Sequence, residues 1–309
     1  MTQSLRPVSL FFAGLLLGSV SVGAALRAHP SSGLPQTSAC SAEQVALRAS
    51  DGVLLDGVLS RPAGRSRSVA FLLVHGFGGN FYEAFFPAFA QAAAQQGYVS
   101  LALNMRDHDT GPKLSDFADN RVDIATGAEY LRKLGHPKLV LLGHSMGTNR
   151  VLYYHAETAD PGIIATVLVA GPGNLFEWNV WQFGREKAQA TVDEALALQK
   201  AGREQQLMLI DLGPLGKALY MVRYLLSLRG PNARSDPYKN IQKVRNPILI
   251  VQGTADKLIE PGIADQLRRA APSGARVDVI RLEGADHAFK NQEAILTQRV
   301  LAWLQEVAP

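Results

Sequence analysis

Residues 138–154, KLVLLGHSMGTNRVLYY, carry an apolar run that ends on Gly-His-Ser-Met-Gly and passes at once into a helical pattern. Val140, Leu141 and Leu142 read as a short buried strand, Val151 and Tyr154 fall on one face of a helix, and no proline interrupts that helix. Gly143 and Gly147 stand two residues to either side of Ser145, where small residues are needed if a tight turn is to hold a strained backbone and push one hydroxyl out of the sheet. So short a pattern also arises by chance, and the rest of the chain must decide its meaning.

The 309 residues are 47% hydrophobic and 19% charged, enough to bury a large core and too apolar for a disordered chain. Lys and Arg exceed Asp and Glu by 31 to 27, and the basic residues are scattered, with no run of the kind that tracks phosphates. Nucleic acid is therefore not expected as a partner. A single cysteine, Cys40, rules out an internal disulfide, and neither Cys-rich zinc spacing nor His-Glu-x-x-His is present, so no metal or other cofactor is expected.

Residues 1–40 read as a leader. Val8–Leu26 is free of charge, lies between Arg6 and Arg27, and ends on the small residues Gly23, Ala24 and Ala25, which suits either a cleaved export signal or a membrane anchor. The expected location is thus exported or tethered to a membrane through residues 8–26. No leucine sits three before Cys40, which argues against a lipid-modified cysteine.

Residues 41–309 read as one α/β domain. A hairpin begins near Glu43, turns at Ser50-Asp51-Gly52 and stops at Pro62. Buried strands follow at Val69–Val74, Tyr98–Leu103, the stretch ending at His144, Ile163–Val169, Ile248–Val251 and Val277–Leu282, with helical patterns between and after them. Such alternation predicts a mostly parallel central sheet with helices on both faces. One segment, about 174–240, breaks the rhythm. Too long for a bare loop, it reads as a helical cap with helices over Ala190–Gln205 and Leu215–Leu228, and its Trp178, Trp181 and Met221 are candidate pocket residues.

A serine hydroxyl needs a neighbouring base, itself oriented by a carboxylate, before it attacks a carbonyl. Two loops past strand ends supply both: Gln252-Gly253-Thr254-Ala255-Asp256, and Glu283-Gly284-Ala285-Asp286-His287. Asp286 is a second candidate acid, but adjacent side chains in an extended loop point apart. His75 and His144 adjoin backbone-critical turns and read as structural; His108 reads as a loop residue.

From about Glu43 onward the chain resembles the α/β-hydrolases of the serine esterase kind, through its elbow, its His75–Asn80 loop (HGFGGN), its acid loop and its His loop, in that order. The resemblance implies Ser145 as nucleophile, His287 as general base then acid, and Asp256 as its orienter. It also implies an oxyanion hole of the Phe77 and Met146 backbone N–H groups. The expected activity is hydrolysis of a carboxylic ester with an apolar part; the form of the loop is similar to that of small-acid esterases such as cinnamoyl esterases. Thioester, amide and carbon–carbon bond cleavage share the fold, and a non-catalytic ligand-binding protein is the alternative of another class. The segment Asn-Met-Arg-Asp-His-Asp after Leu103 departs from the Asp-x-Arg-Gly-x-Gly turn common in that family.

Overall fold

A computed structural model describes residues 40–308. The apolar run Val8–Leu26 lies outside them; among the described residues no helix is long and apolar enough to cross a membrane. Cys40–Arg48 (β1) and Leu54–Pro62 (β2) form the expected hairpin. After them come Val69–Val74 (β3), Phe86–Gln95 (α1), Val99–Leu103 (β4), Asn120–Lys133 (α2), Lys138–His144 (β5), Met146–Thr158 (α3) and Ile163–Val169 (β6). Ile248–Gly253 (β9), Ile263–Ala270 (α8), Val277–Leu282 (β10) and Glu293–Val307 (α9) close the chain. These eight strands make one sheet in the order β1-β2-β4-β3-β5-β6-β9-β10, antiparallel over its first three strands and parallel from β4 to β10.

Both faces of the sheet are covered, and the alternation of side chains along β5 shows how. Leu139 and Leu141 enter one core with Ile124, Leu131, Val151 and Leu267, beneath α2, α3 and α8. Val140 and Leu142 enter the other with Phe89, Val300 and Trp303, beneath α1 and α9. In that second core Phe89 meets Phe71 edge-on at 5.0 Å. Truncating such a fully buried aromatic costs about 3–5 kcal/mol. The sheet is thus a rigid platform, and every parallel strand delivers its C-terminal end to the same edge.

Between β6 and β9 lies a third core. Leu175–Phe183 (α4), Arg185–Lys200 (α5), Leu207–Asp211 (β7), Lys217–Met221 (β8), Val222–Arg229 (α6) and Pro237–Ile241 (α7) occupy this segment. Leu175, Val192, Tyr220 and Leu225 pack there with Phe117, Met146 and Tyr153 of the main body. The expectation of a helix over Leu215–Leu228 is corrected: its first half is strand, paired antiparallel with β7. The reason is a period of two. Met208, Ile210, Ala218 and Tyr220 point inward while Leu207, Leu209, Lys217 and Leu219 point out, and Gly213 and Gly216 turn the chain between them at φ +58° and +80°.

Candidate active site

Ser145 stands at the tip of the turn between β5 and α3 with φ 53° and ψ −127°. A side-chain-bearing residue held there costs roughly 1–3 kcal/mol. Close packing holds it. A Cβ on Gly143 would lie 2.4 Å from the Gly147 carbonyl oxygen, and one on Gly147 would lie 2.1 Å from that of Val74, so only glycine fits at either place. The Ser145 N–H donates to the Val169 carbonyl at 2.9 Å, which ties the apex to β6. Gly76 is as tightly placed: a Cβ there would come within 2.7 Å of Ser145 Cβ. The loop after β3 therefore runs directly beside the serine and brings Phe77 to the cavity that Ser145 and Met146 also line. Among the described residues neither the Phe77 nor the Met146 N–H has a hydrogen-bond acceptor.

Asp256 and His287 come from the ends of β9 and β10. Gly253 brings those ends together, since a Cβ on it would meet the Ala285 carbonyl oxygen at 2.3 Å. Ala255 N–H also donates to Ala285, at 3.0 Å. His287 Nδ1 lies 2.9 Å from Asp256 Oδ2. The other carboxylate oxygen accepts the N–H groups of Leu258 and Ile259 at 2.9 and 3.2 Å, and Gln252 donates to Oδ2 at 3.2 Å. With its side chain only 1% exposed, Asp256 is held fixed with both carboxylate oxygens hydrogen-bonded. Asp286 turns away, accepting Lys290 N–H at 2.9 Å. Ser145 and His287 line one cavity of about 120 Å³ without a hydrogen bond between them; such bonds commonly tighten only when a substrate is in place.

Beside this pair sits a second one that the sequence did not reveal. Glu83 accepts the Gly76 N–H at 3.0 Å and lies 3.3 Å from His144 Nδ1, while His144 Nε2 donates to the His287 carbonyl at 2.8 Å. Burial disfavours charge on both, but their mutual attraction prevails: Glu83 is pulled down to about 2 and His144 is raised. His75 is the neutral counterpart. Burial, aided by the Arg150 guanidinium, lowers it to about 4. Its Nδ1–H donates to the Gly76 carbonyl at 2.8 Å while Nε2 accepts the Met105 N–H at 3.0 Å.

The loop that departs from the family turn is held by buried charge. Arg106 binds the carboxylate of Asp123 through Nε and Nη2 at 2.9 and 2.6 Å, and Asp107 pairs with the fully buried Arg150 and accepts the Tyr224 hydroxyl. Lys113, which burial pulls down to about 8, donates to the Asp107 and Asp109 carbonyls at 2.6 and 2.5 Å and stands over the Phe77 ring. His108 is paired with Asp109 and does not line the cavity.

The cavity walls are largely apolar: Pro172, Leu175, Trp178, Leu215, Leu258 and Ile259. Trp178 is fixed by donating its indole N–H to the Leu258 carbonyl at 2.7 Å. Trp181 and Met221, expected beside it, do not line the cavity. Trp181 sits on the outer side of α4, 38% exposed, and Met221 alternates with the inward Tyr220 on β8. Glu83 and Arg229 complete the lining. Among the described residues no three His, Cys, Asp or Glu side chains are grouped to hold a metal.

Four similarities bear on this arrangement. The model of the alpha/beta hydrolase family matches residues 71–294. Among solved structures, the esterase domain of a Rhodothermus marinus protein superposes with a TM-score of 0.61 at 20% identity, covering 86% of this chain and 98% of its own. Est1E from Butyrivibrio proteoclasticus gives 0.62 at 17%, covering 85% and 98%, and the siderophore hydrolase EstB from Aspergillus fumigatus gives 0.64 at 15%, covering 89% and 99%. No curated relative matches by sequence. At such identities the structures speak for the fold, and the family match covers most of the chain: this protein belongs to the alpha/beta hydrolase family.

Proposed function

We propose that this hydrolase cleaves a carboxylic ester through an acyl-enzyme, with Ser145 as nucleophile, His287 as general base and acid, and Asp256 as its anchor. The observation that carries the reading is the contact between His287 Nδ1 and the buried Asp256 carboxylate at 2.9 Å, at the cavity lined by the strained Ser145. Asp256 fixes the proton on Nδ1, so Nε2 is the basic nitrogen and takes the Ser145 proton as Oγ attacks the carbonyl carbon. The carbonyl oxygen becomes an anion and is received by the free N–H groups of Phe77 and Met146. Loss of one such donor typically costs about 10²–10³ in rate. Collapse expels the alcohol, protonated by His287, and leaves the acyl group on Ser145. Water, deprotonated by the same nitrogen, then releases the acid. Apolar walls around Trp178 favour an ester with an apolar part.

Ser145→Ala tests this. Hydrolysis of short p-nitrophenyl esters should fall by about 10⁴ or more with the fold intact by circular dichroism; wild-type turnover in that variant would overturn the reading. For the leader, we propose export or membrane tethering through Val8–Leu26. Fractionation of cells carrying the full chain should find the protein outside the cytoplasm, and a cytoplasmic soluble pool would refute it.

A further inference from the structure

Arg229 is the one feature of the cavity wall that ester hydrolysis does not explain. It ends α6, is only 5% exposed, and lines the same cavity as Ser145 and His287. Its Nε donates to Asn179 Oδ1 at 3.3 Å, but Nη1 is buried without a hydrogen-bond partner, and among the described residues no carboxylate lies within ion-pair distance. Glu177 on the neighbouring α4 is taken by Arg185, and Glu83 in the same cavity by His144. Beneath the guanidinium, 5.5 Å away, is the ring of Tyr220, whose hydroxyl is also buried without a partner. A buried cation lacking a counter-ion is costly, and a helix C-terminus or an aromatic face repays only part of that. Among the described residues the other buried arginine, Arg150, has its carboxylate in Asp107.

We propose that Arg229 receives a carboxylate carried by the substrate, so that the preferred ester is anionic, with its apolar portion against Trp178 and Leu175 and its charge on the guanidinium. The planar fork of an arginine matches a carboxylate in two parallel hydrogen bonds. The small volume of the cavity keeps the anion and the scissile carbonyl a short chain apart. This rests on the ester-hydrolase reading for its substrate, though not for its binding site.

The test compares monomethyl glutarate and monomethyl adipate with methyl pentanoate and methyl hexanoate by proton release, and 4-acetoxybenzoate with phenyl acetate to place the charge on the alcohol side. Wild type should prefer an anionic member. Arg229→Gln should lower the anionic-to-neutral ratio of kcat/KM by about 10–100-fold, with Arg229→Lys in between; taking the ratio cancels any general loss. On the wild-type chain alone, glutarate or adipate should inhibit neutral-ester hydrolysis competitively and pentane-1,5-diol should not, which decides the matter even if Arg229→Gln fails to fold. Calorimetry with glutarate needs no turnover. Its binding by wild type with no ester cleaved would retire the ester-hydrolase reading and leave the anion site standing. Equal ratios in wild type and variant, with no inhibition by either dicarboxylate, would overturn the proposal.

Discussion

Two carboxylate–histidine pairs lie side by side at the C-terminal edge of the sheet, with the His144 and His287 rings 5.0 Å apart. In both, an acid faces Nδ1. They differ in what remains free. His144 spends its Nε2 on the His287 carbonyl and its side chain is 2% exposed; His287 is 18% exposed, lines the cavity and keeps Nε2 without a protein partner among the described residues. The first pair is a charged strut under the second. Which histidine can move a proton is thus decided by the unspent nitrogen, and the strut's hydrogen bond to the His287 carbonyl holds that residue in place.

Removing each histidine should separate those roles, and this is the largest effect expected. His287→Ala should lose about 10⁴ or more in kcat/KM at a nearly unchanged Tm, whereas His144→Gln should lower Tm and cost far less in rate. Equal rate losses in the two variants would mean that the pairs are not distinct.

Next is the pH dependence of the strut. Glu83 is lowered from 4.5 to about 2, so its contribution is full above about 4.5 and is lost as pH falls through about 2. His144 is raised above 6.5, so its contribution is full below about 6.5 and fades as pH rises through its folded value. The stability gap between wild type and Glu83→Gln should therefore be widest between about pH 4.5 and 6.5, on the order of 3 kcal/mol for the Glu83 shift. Denaturant midpoints from below pH 4.5 to above pH 6.5 measure it, and a gap that stays the same outside that window as inside it would contradict the charged pair.

A smaller difference is expected between two tryptophans of α4. Trp178→Ala should reduce kcat/KM for apolar esters by about 1–3 kcal/mol relative to acetate esters. Trp181→Ala, off the cavity, should leave that ratio alone. Smallest of all, Asp286→Asn should change activity and stability by no more than about 0.5 kcal/mol, since the group is exposed and turned from His287. A large loss there would reopen the choice of the third triad member.

Much of this was legible in the chain because the turn at Ser145 is local. Gly143, Ser145 and Gly147 fall within five residues of one strand–turn–helix, although the contacts that require Gly147 and tie down Ser145 come from Val74 and Val169 of neighbouring strands, and Asp256 and His287 follow strand ends that any parallel sheet sends to one edge. Glu83 and Arg229 were not legible. Glu83 reaches the site from the turn before α1 and Arg229 from the end of α6, and nothing near either in sequence marks a charge that folding will bury. The β7–β8 hairpin was hidden by the helix that continues it at Val222, although Gly213-Pro214-Leu215-Gly216 is a turn signal that separates the two alternating runs. Trp181 and Met221 were placed in the pocket because they are large and apolar in the right segment. That criterion does not say which way a helix or strand faces.

The most direct measurement is labelling with a fluorophosphonate probe followed by peptide mass spectrometry on wild type, His287→Ala and His144→Gln. The expected result is one adduct, on Ser145, formed rapidly in wild type, nearly abolished in His287→Ala and retained in His144→Gln. A folded wild-type chain that takes no label, or takes it at another residue, would contradict Ser145 as a nucleophile activated by the His287–Asp256 pair.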